Sequence, residues 1–285
     1  MIKWIKERVD VFKFLQRVEE HHVAAFAAQS AFFFVLSLIP ILMLLLNLIL
    51  YLPLDITKAE IIEMAVQVFP TTVESLIKSV ISQVYNQSIG IVPVTILVAL
   101  WSAGRGVMAL TSGLNNIYGS KETRNYIMVR IRASFYTVIF VAMIVLFLLL
   151  SVFGNTIKEF IVVHAPFARE VSEYILKVKS VVSPVALFVF TMMLFKLVPN
   201  RKTKIRHEIP GAIFAALGWF VVSWVFSMYL RIFKGFSTMY GSLTTIILVM
   251  LWLYFCMYAI LLGGEINRML FPKAEEIRAQ ELDNQ

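Results

Sequence analysis

The chain has 285 residues, 59% of them apolar and only 15% charged, with a net charge of +8. Soluble domains carry about 25% charged residues, so this composition excludes an ordinary water-soluble enzyme. The basic excess lies in short segments between apolar runs, which argues against a nucleic-acid partner and for anionic lipid headgroups.

In chain order, residues 1–22 come first. Ile5, Val9, Phe12 and Val18 fall on or near one helical face, ringed by Lys3, Lys6, Lys13 and Arg17, which predicts an interfacial amphipathic helix. The first apolar run, 23–50, is too long for the roughly 7–15 apolar residues of a cleavable leader, and none is expected. Pro40 lies within that run and predicts a kink. Residues 54–88 hold two capping boxes, Thr57-x-x-Glu60 and Thr71-x-x-Glu74, and predict a helical cap on the outer surface. Further spans are expected at about 91–112, 134–153, 181–198, 209–230 and 243–264, since a bilayer core needs roughly 20 apolar residues in a helix. Pro93, Pro184 and Pro210 are placed in first turns, where a missing N–H costs nothing. Residues 155–180 suit another amphipathic helix, and 268–285 a polar tail. The fold class is therefore all-α, with 23–267 as a membrane domain of six spans.

Charge sets the expected orientation. Segments on the N-terminal side of the membrane carry 16 of the 26 Lys and Arg, against 8 in the opposite loops. Arg201, Lys202, Lys204 and Arg206 crowd into one short turn among the former. This bias places both termini in the cytoplasm.

Polar groups within a membrane are costly and each needs a reason. Gln29, Arg105, Asn115, Lys196 and Glu265 all fall in the cytoplasmic halves or mouths of their spans. Two readings stand side by side. In one they line a polar, net-basic vestibule with Arg105 near its floor, suited to a phosphate or carboxylate. In the other they are helix-end groups, with Arg105 snorkelling and Glu265 paired to Arg105 or Lys196. Ser30, Ser37 and Asn47 suit interhelical hydrogen bonds. Gly211, Ala212, Ala215, Ala216 and Gly218 form a small-residue packing face, and Trp219, Trp224 and Trp252 are expected to pack between helices or face lipid. Pro40, Gly104 and Gly106 are candidate flex points.

Enzymatic signatures are missing from the sequence. The four histidines form no HExxH or comparable metal-ligand spacing, and no nucleophile elbow, Walker A sequence or dinucleotide fingerprint occurs. No cofactor is expected. Cys256 is the single cysteine and can form no intrachain disulfide.

Three stretches carry a resemblance: Ala24–Pro40, Leu100-Trp-Ser-Ala-Gly-Arg-Gly through Gly119, and Val198-Pro-Asn-Arg-Lys through Pro210-Gly-Ala, continuing into Tyr240-Gly-Ser-Leu and Gly263-Gly-Glu-Ile-Asn267. In that order they resemble the YihY/BrkB family of bacterial membrane proteins. The resemblance covers about residues 20–270. It implies six spans, cytoplasmic termini and a bacterial inner or plasma membrane. It also implies functional or structural weight at Pro40, Trp101, Arg105, Asn115, Tyr118, Gly119, Pro199, Asn200, Pro210, Gly211, Tyr240, Gly241 and Glu265. A tyrosine usual around Gln29–Phe33 in the family is lacking, which bears on specificity. The ribonuclease label long attached to the family conflicts with the chemistry, because a metal-dependent nuclease needs a His/Asp cluster that this chain lacks. The expectation is a secondary transporter or flippase for an anionic amphiphile or lipid. The alternative is a non-transporting scaffold or regulatory protein of the cell envelope.

Overall fold

The computed structural model describes residues 11–51, 92–152, 179–201, 203–232 and 242–272, with isolated Lys78 and Ser82. Among these residues the structure is made of helices joined by turns and contains no strand. The helices are α1 (Val11–Glu20), α2 (Val23–Tyr51), α3 (Val92–Ile117), α4 (Tyr126–Val152), α5 (Lys179–Leu197), α6 (Ile209–Ile232) and α7 (Ser242–Leu270), with a 3₁₀ turn at Ile205–His207. The expected cap at 54–88, the amphipathic stretch 155–180 save its end in α5, the tail beyond Pro272 and residues 1–10 lie outside the described residues. So do Lys202, Tyr240 and Gly241.

The six apolar runs become α2 to α7, but most helices outrun them. α3 continues five residues past Ser112, α4 starts eight residues before Ser134, and α7 runs on through Glu265 and Arg268. Apolar composition marks where hydrocarbon surrounds a helix, while backbone bonding carries the helix on into the polar zone. α3 ends in a Schellman motif. Gly119 takes φ +63°, its N–H bonds Asn116 O, and the Ser120 N–H bonds Asn115 O. The expected helix over 1–22 is also corrected at its end. α1 stops at Glu20, and His22 takes a left-handed φ of +52° before α2 begins. Pro184 lies inside α5 rather than in its first turn, because that helix begins at or before Lys179. α2 runs through Pro40 as one helix.

Packing follows the small residues. α2 and α3 share the largest contact, α6 and α7 the next, and α7 also packs on α2; α4 leans on α3, and α5 on α6. At the α6–α7 crossing, Gly211 and Gly263 are back to back, and a Cβ on either would overlap the other's carbonyl oxygen. A Cβ on Gly218 would sit 2.9 Å from that of Ala259. Such close approach is how membrane helices gain dispersion contact, since lipid offers no hydrophobic drive. Farther along, Trp219 and Trp252 meet edge to face at 5.5 Å, and Trp252 Nε1 donates to Ser223 Oγ at 3.1 Å.

The outer surface is apolar. On α6, Leu217 is 60% and Trp224 62% exposed, and Ile213, Val221, Val225 and Met228 share that outward surface. In water this would be a patch far larger than soluble proteins tolerate. Ile209–Tyr229 and Ile246–Leu270 are long and apolar enough to cross a bilayer. Inside, Ser37 bonds its own helix at Phe34 O, not a neighbouring helix as expected, and Thr111 and Thr137 do likewise. A hydroxyl in an apolar setting meets its need most readily at the i−3 or i−4 carbonyl. Thr191 also reaches across to Ala212 O at 3.2 Å. The side chain of Asn47 lies outside the described set.

Candidate functional site

One end of the bundle gathers the α1–α2 junction, the C-terminal ends of α3, α5 and α7, and the N-terminal ends of α4 and α6. Two buried carboxylates organise it. Glu208 is 0% exposed and stands where α6 begins, its carbonyl accepting from Ala212 N–H at 3.0 Å. Arg201 Nη2 donates to both its carboxylate oxygens at 2.7 Å. Thr203 Oγ1 donates to the same carboxylate, and so does Asn267 Nδ2, at 3.1 Å. Asn267 Oδ1 in turn accepts from Gly211 N–H at 2.7 Å, fixing α7 to the first turn of α6. The Arg201 guanidinium also lies 3.1 Å from the centre of the Tyr118 ring. Arginine and threonine from the turn before α6 and asparagine from α7 thus converge on one carboxylate at a helix N-terminus, where the dipole favours negative charge.

Glu265, 1% exposed, is the second carboxylate. It meets His21 Nδ1, while His21 Nε2 faces Arg268 Nη1 at 2.8 Å. A guanidinium has donors and no acceptor, so in this contact Arg268 is the donor. Arg268 also donates to Ile117 O, and Asn116 Nδ2 to His21 O at 2.9 Å. This chain of charge, ring and charge pins the α1–α2 junction onto α3 and α7. The pairing of Glu265 with Arg105 or Lys196 is therefore corrected. The partner is a histidine 244 residues away in sequence.

Asn115 and Lys196 are also held within the protein. Asn115 Oδ1 accepts from Asn200 N–H at 2.7 Å, and its Nδ2 donates to Glu122 at 2.9 Å. Asn200 adds bonds to Lys121 O and Thr123 Oγ1, so the 198–201 turn is clipped to the α3–α4 loop. Glu122 is clasped by Arg124, whose hydrogen bond holds its carboxyl below the ordinary carboxylate value. Lys196 Nζ donates to Thr203 O. Of the basic turn, Arg201 is buried in its ion pair, whereas Lys204 and Arg206 are exposed.

Arg105 lies elsewhere. It is exposed on the outer flank of α3, its guanidinium carbon 4.4 Å from the Trp101 ring centre and 5.4 Å from that of Phe33. Trp101 is itself 53% exposed. From α4, Arg130 reaches the other way. Its Nη2 donates to Trp101 O at 2.7 Å, and its guanidinium carbon lies 5.5 Å from the same ring centre. Among the described residues no carboxylate pairs with either arginine. Both lie near one ring centre, so the two charges are at most about 10 Å apart. At an effective dielectric of about 20 their repulsion is on the order of 2 kcal/mol. Cation–π attraction at exposed rings, about 0.5–1 kcal/mol for each of the three contacts, is of the same size and holds the two guanidiniums there against it. Gln29 is likewise exposed, one turn from Phe33 on α2. Gly106 gives a seat to the Phe34 ring, which a Cβ there would meet at 3.2 Å, and Gly104 lies beside Ser134 and Arg130. The five candidate residues are thus not one constellation. Asn115, Lys196 and Glu265 belong to the packed end, and Arg105 and Gln29 to the outer flank.

The family model described as virulence factor BrkB matches residues 14–284. The chain belongs to that family. It is 36% identical over 258 residues to the protein YfkH of Bacillus subtilis strain 168, named ribonuclease-like, covering 89% of this chain and 92% of that one. A UPF0761 membrane protein of Stenotrophomonas maltophilia strain K279a is 36% identical over 80 residues, 28% of this chain and 19% of that protein. Another, from Pseudoalteromonas translucida, is 34% identical over 95 residues, about a third of each. No solved structure matches. BrkB relatives form a membrane protein family rather than an enzyme family, and this chain is a membrane protein; the ribonuclease-like name is a copied label.

Sequence reasoning did not find the partners of the buried carboxylates. His21 enters the sequence reading only as one of four histidines without metal-ligand spacing, and Arg201 only as a topological charge. The spacing Gly263-x-x-x-Asn267, which sets Asn267 one turn beyond the closest helix contact, was the available signal.

Proposed function

We propose that this chain is a six-span protein of the bacterial inner or plasma membrane, with both termini cytoplasmic, acting as a secondary transporter or flippase for an anionic amphiphile rather than as an enzyme. The observation that carries this reading is the exposed guanidinium of Arg105, set where the outward side of α3 turns from polar to apolar and lacking a carboxylate partner among the described residues. A lone cation there is costly unless an anion or water meets it. The charged end, with its basic excess, supports a cytoplasmic placement of that end.

The scaffold reading has its own support. Asn115, Lys196 and Glu265 are engaged in intramolecular bonds that fasten helix ends, as a static docking platform would need. Proteoliposomes separate the two. With fluorescent phosphatidylglycerol, the intact protein is expected to speed redistribution between leaflets, and Arg105→Ala to cut that rate at least tenfold. No rate above empty liposomes would favour the scaffold, and an unchanged Arg105→Ala rate would remove that residue from the mechanism.

A further inference from the structure

We propose that Arg105, Trp101 and Arg130 form a site for the phosphodiester of an anionic phospholipid, taken from the leaflet at the charged end. The inference deepens the transport reading by naming a lipid class, but the site stands or falls by binding alone.

An outward stripe runs along α3. Asn116, Ser112, Arg105, Trp101, Val98 and Val94 are all exposed and succeed one another at three- to seven-residue steps along one side. The stripe changes character at Trp101. Toward the charged end it carries amide, hydroxyl and guanidinium groups. Away from it, Val98, Leu97 and Val94 are apolar and outward, as are Phe32 and Leu36 of neighbouring α2. A headgroup above an acyl chain has that same division, and a free soluble anion would have no use for the lower half. Arg105 lies seven residues below Ser112, roughly 10 Å along the helix. A phosphate drawn to it therefore sits beneath the end of the apolar run, displaced inward from its usual plane.

The two guanidiniums come from different helices and share one indole. Arg130 is fixed by its bond to Trp101 O and by a contact of Nη1 with Met108 Sδ at 3.3 Å. Arg105 lies against the rings of Trp101 and Phe33. Both are therefore held in place before a ligand arrives, and their planar forks suit phosphate oxygens. One monoanion between them would relieve their mutual repulsion. Gln29 and Ser112, exposed nearby on the charged-end side, offer hydrogen bonds to glycerol or headgroup hydroxyls.

The test uses the full chain in neutral-lipid nanodiscs with added brominated phosphatidylglycerol or brominated phosphatidylcholine, read by tryptophan quenching. The expected result is half-maximal quenching at several-fold lower mole fraction of the anionic lipid. That preference should vanish in Trp101→Phe and shrink at least fivefold in Arg105→Gln and in Arg130→Gln. Retention of the preference in both single arginine variants and in the double variant would overturn the proposal. Millimolar inorganic phosphate should leave the quenching in place; displacement by it would mean a soluble-anion site and overturn the lipid assignment. Arg130→Lys, which keeps the charge but not the planar fork, guards against a merely structural loss and should show a preference between those of Arg130→Gln and the native chain. Preferential quenching without translocation would leave this site standing and remove the transport reading. Translocation without preferential quenching would do the reverse.

Discussion

Arginine appears in two regions of this molecule in opposite circumstances. At the packed end, Arg201 is buried and meets both oxygens of Glu208, and Arg268 completes a neutralised chain with His21 and Glu265. On the outer flank, Arg105 and Arg130 face each other's charge across one indole with no described carboxylate to meet. The same side chain is a fastening in the first place and an open valence in the second. Burial with a partner spends the charge on the fold, while exposure without one leaves it for a ligand.

The comparison is broken most severely at Glu208. Glu208→Ala strands a buried guanidinium and should cost about 3–5 kcal/mol, as removal of one partner of a buried pair does. Loss of the monodisperse peak on size exclusion and a large fall in melting temperature are expected. Replacing both partners, Arg201→Met with Glu208→Leu, should recover much of that loss; if the double variant melts as low as the single, the pairing explanation is wrong. Gly211→Ala comes next. The added methyl meets the Gly263 carbonyl, and since a backbone cannot swing aside like a side chain, about 3 kcal/mol is expected, read by thermal unfolding in detergent.

Smaller effects sharpen the contrast. The carboxyl of Glu122 is depressed in the folded protein, chiefly by its hydrogen bond with Arg124. Its stabilisation is complete above the ordinary value of 4.5 and fades as pH falls through the lower folded value. Because the pair is partly exposed, the loss should stay under about 1 kcal/mol, and Glu122→Gln should flatten that limb of the stability–pH curve. Least of all, Arg105→Gln should change unfolding by no more than about 0.5 kcal/mol, since the exposed ring contacts it loses are offset by relief of its repulsion with Arg130. A larger fall would place Arg105 with the fastenings.

What could be read in the sequence follows from the same physics. Hydrocarbon demands uninterrupted apolar helix, so the runs that became α2, α3 and α7 were legible from composition, and the small residues Gly211–Gly218 announced a packing face, though not that α7 would fill it. Helix ends were not legible, because α3 and α7 go on through Asn115 and Glu265 once the apolar run is over. Nor were the pairings. Which side chain Glu265 meets depends on how α1, α2 and α7 are rotated against each other, and the sequence near Glu265 contains nothing about His21. Arg105 was legible as costly, and the four-residue step from Trp101 put both on one side of a helix. That the side faces outward depends on α2 packing opposite Phe34, which only the assembled bundle reveals.

The account rests on flank arginines being ligand-facing rather than structural, and one measurement addresses that directly. Thermal unfolding of the full chain is compared in neutral nanodiscs and in nanodiscs containing phosphatidylglycerol, for the native protein and for Arg105→Gln/Arg130→Gln. A ligand that binds only the folded state raises the melting temperature by mass action. The native chain should melt higher with the anionic lipid, and the double variant, which starts lower in neutral lipid because Arg130 loses its bond to Trp101 O, should gain nothing from the anionic one. An equal gain in both proteins would contradict the account.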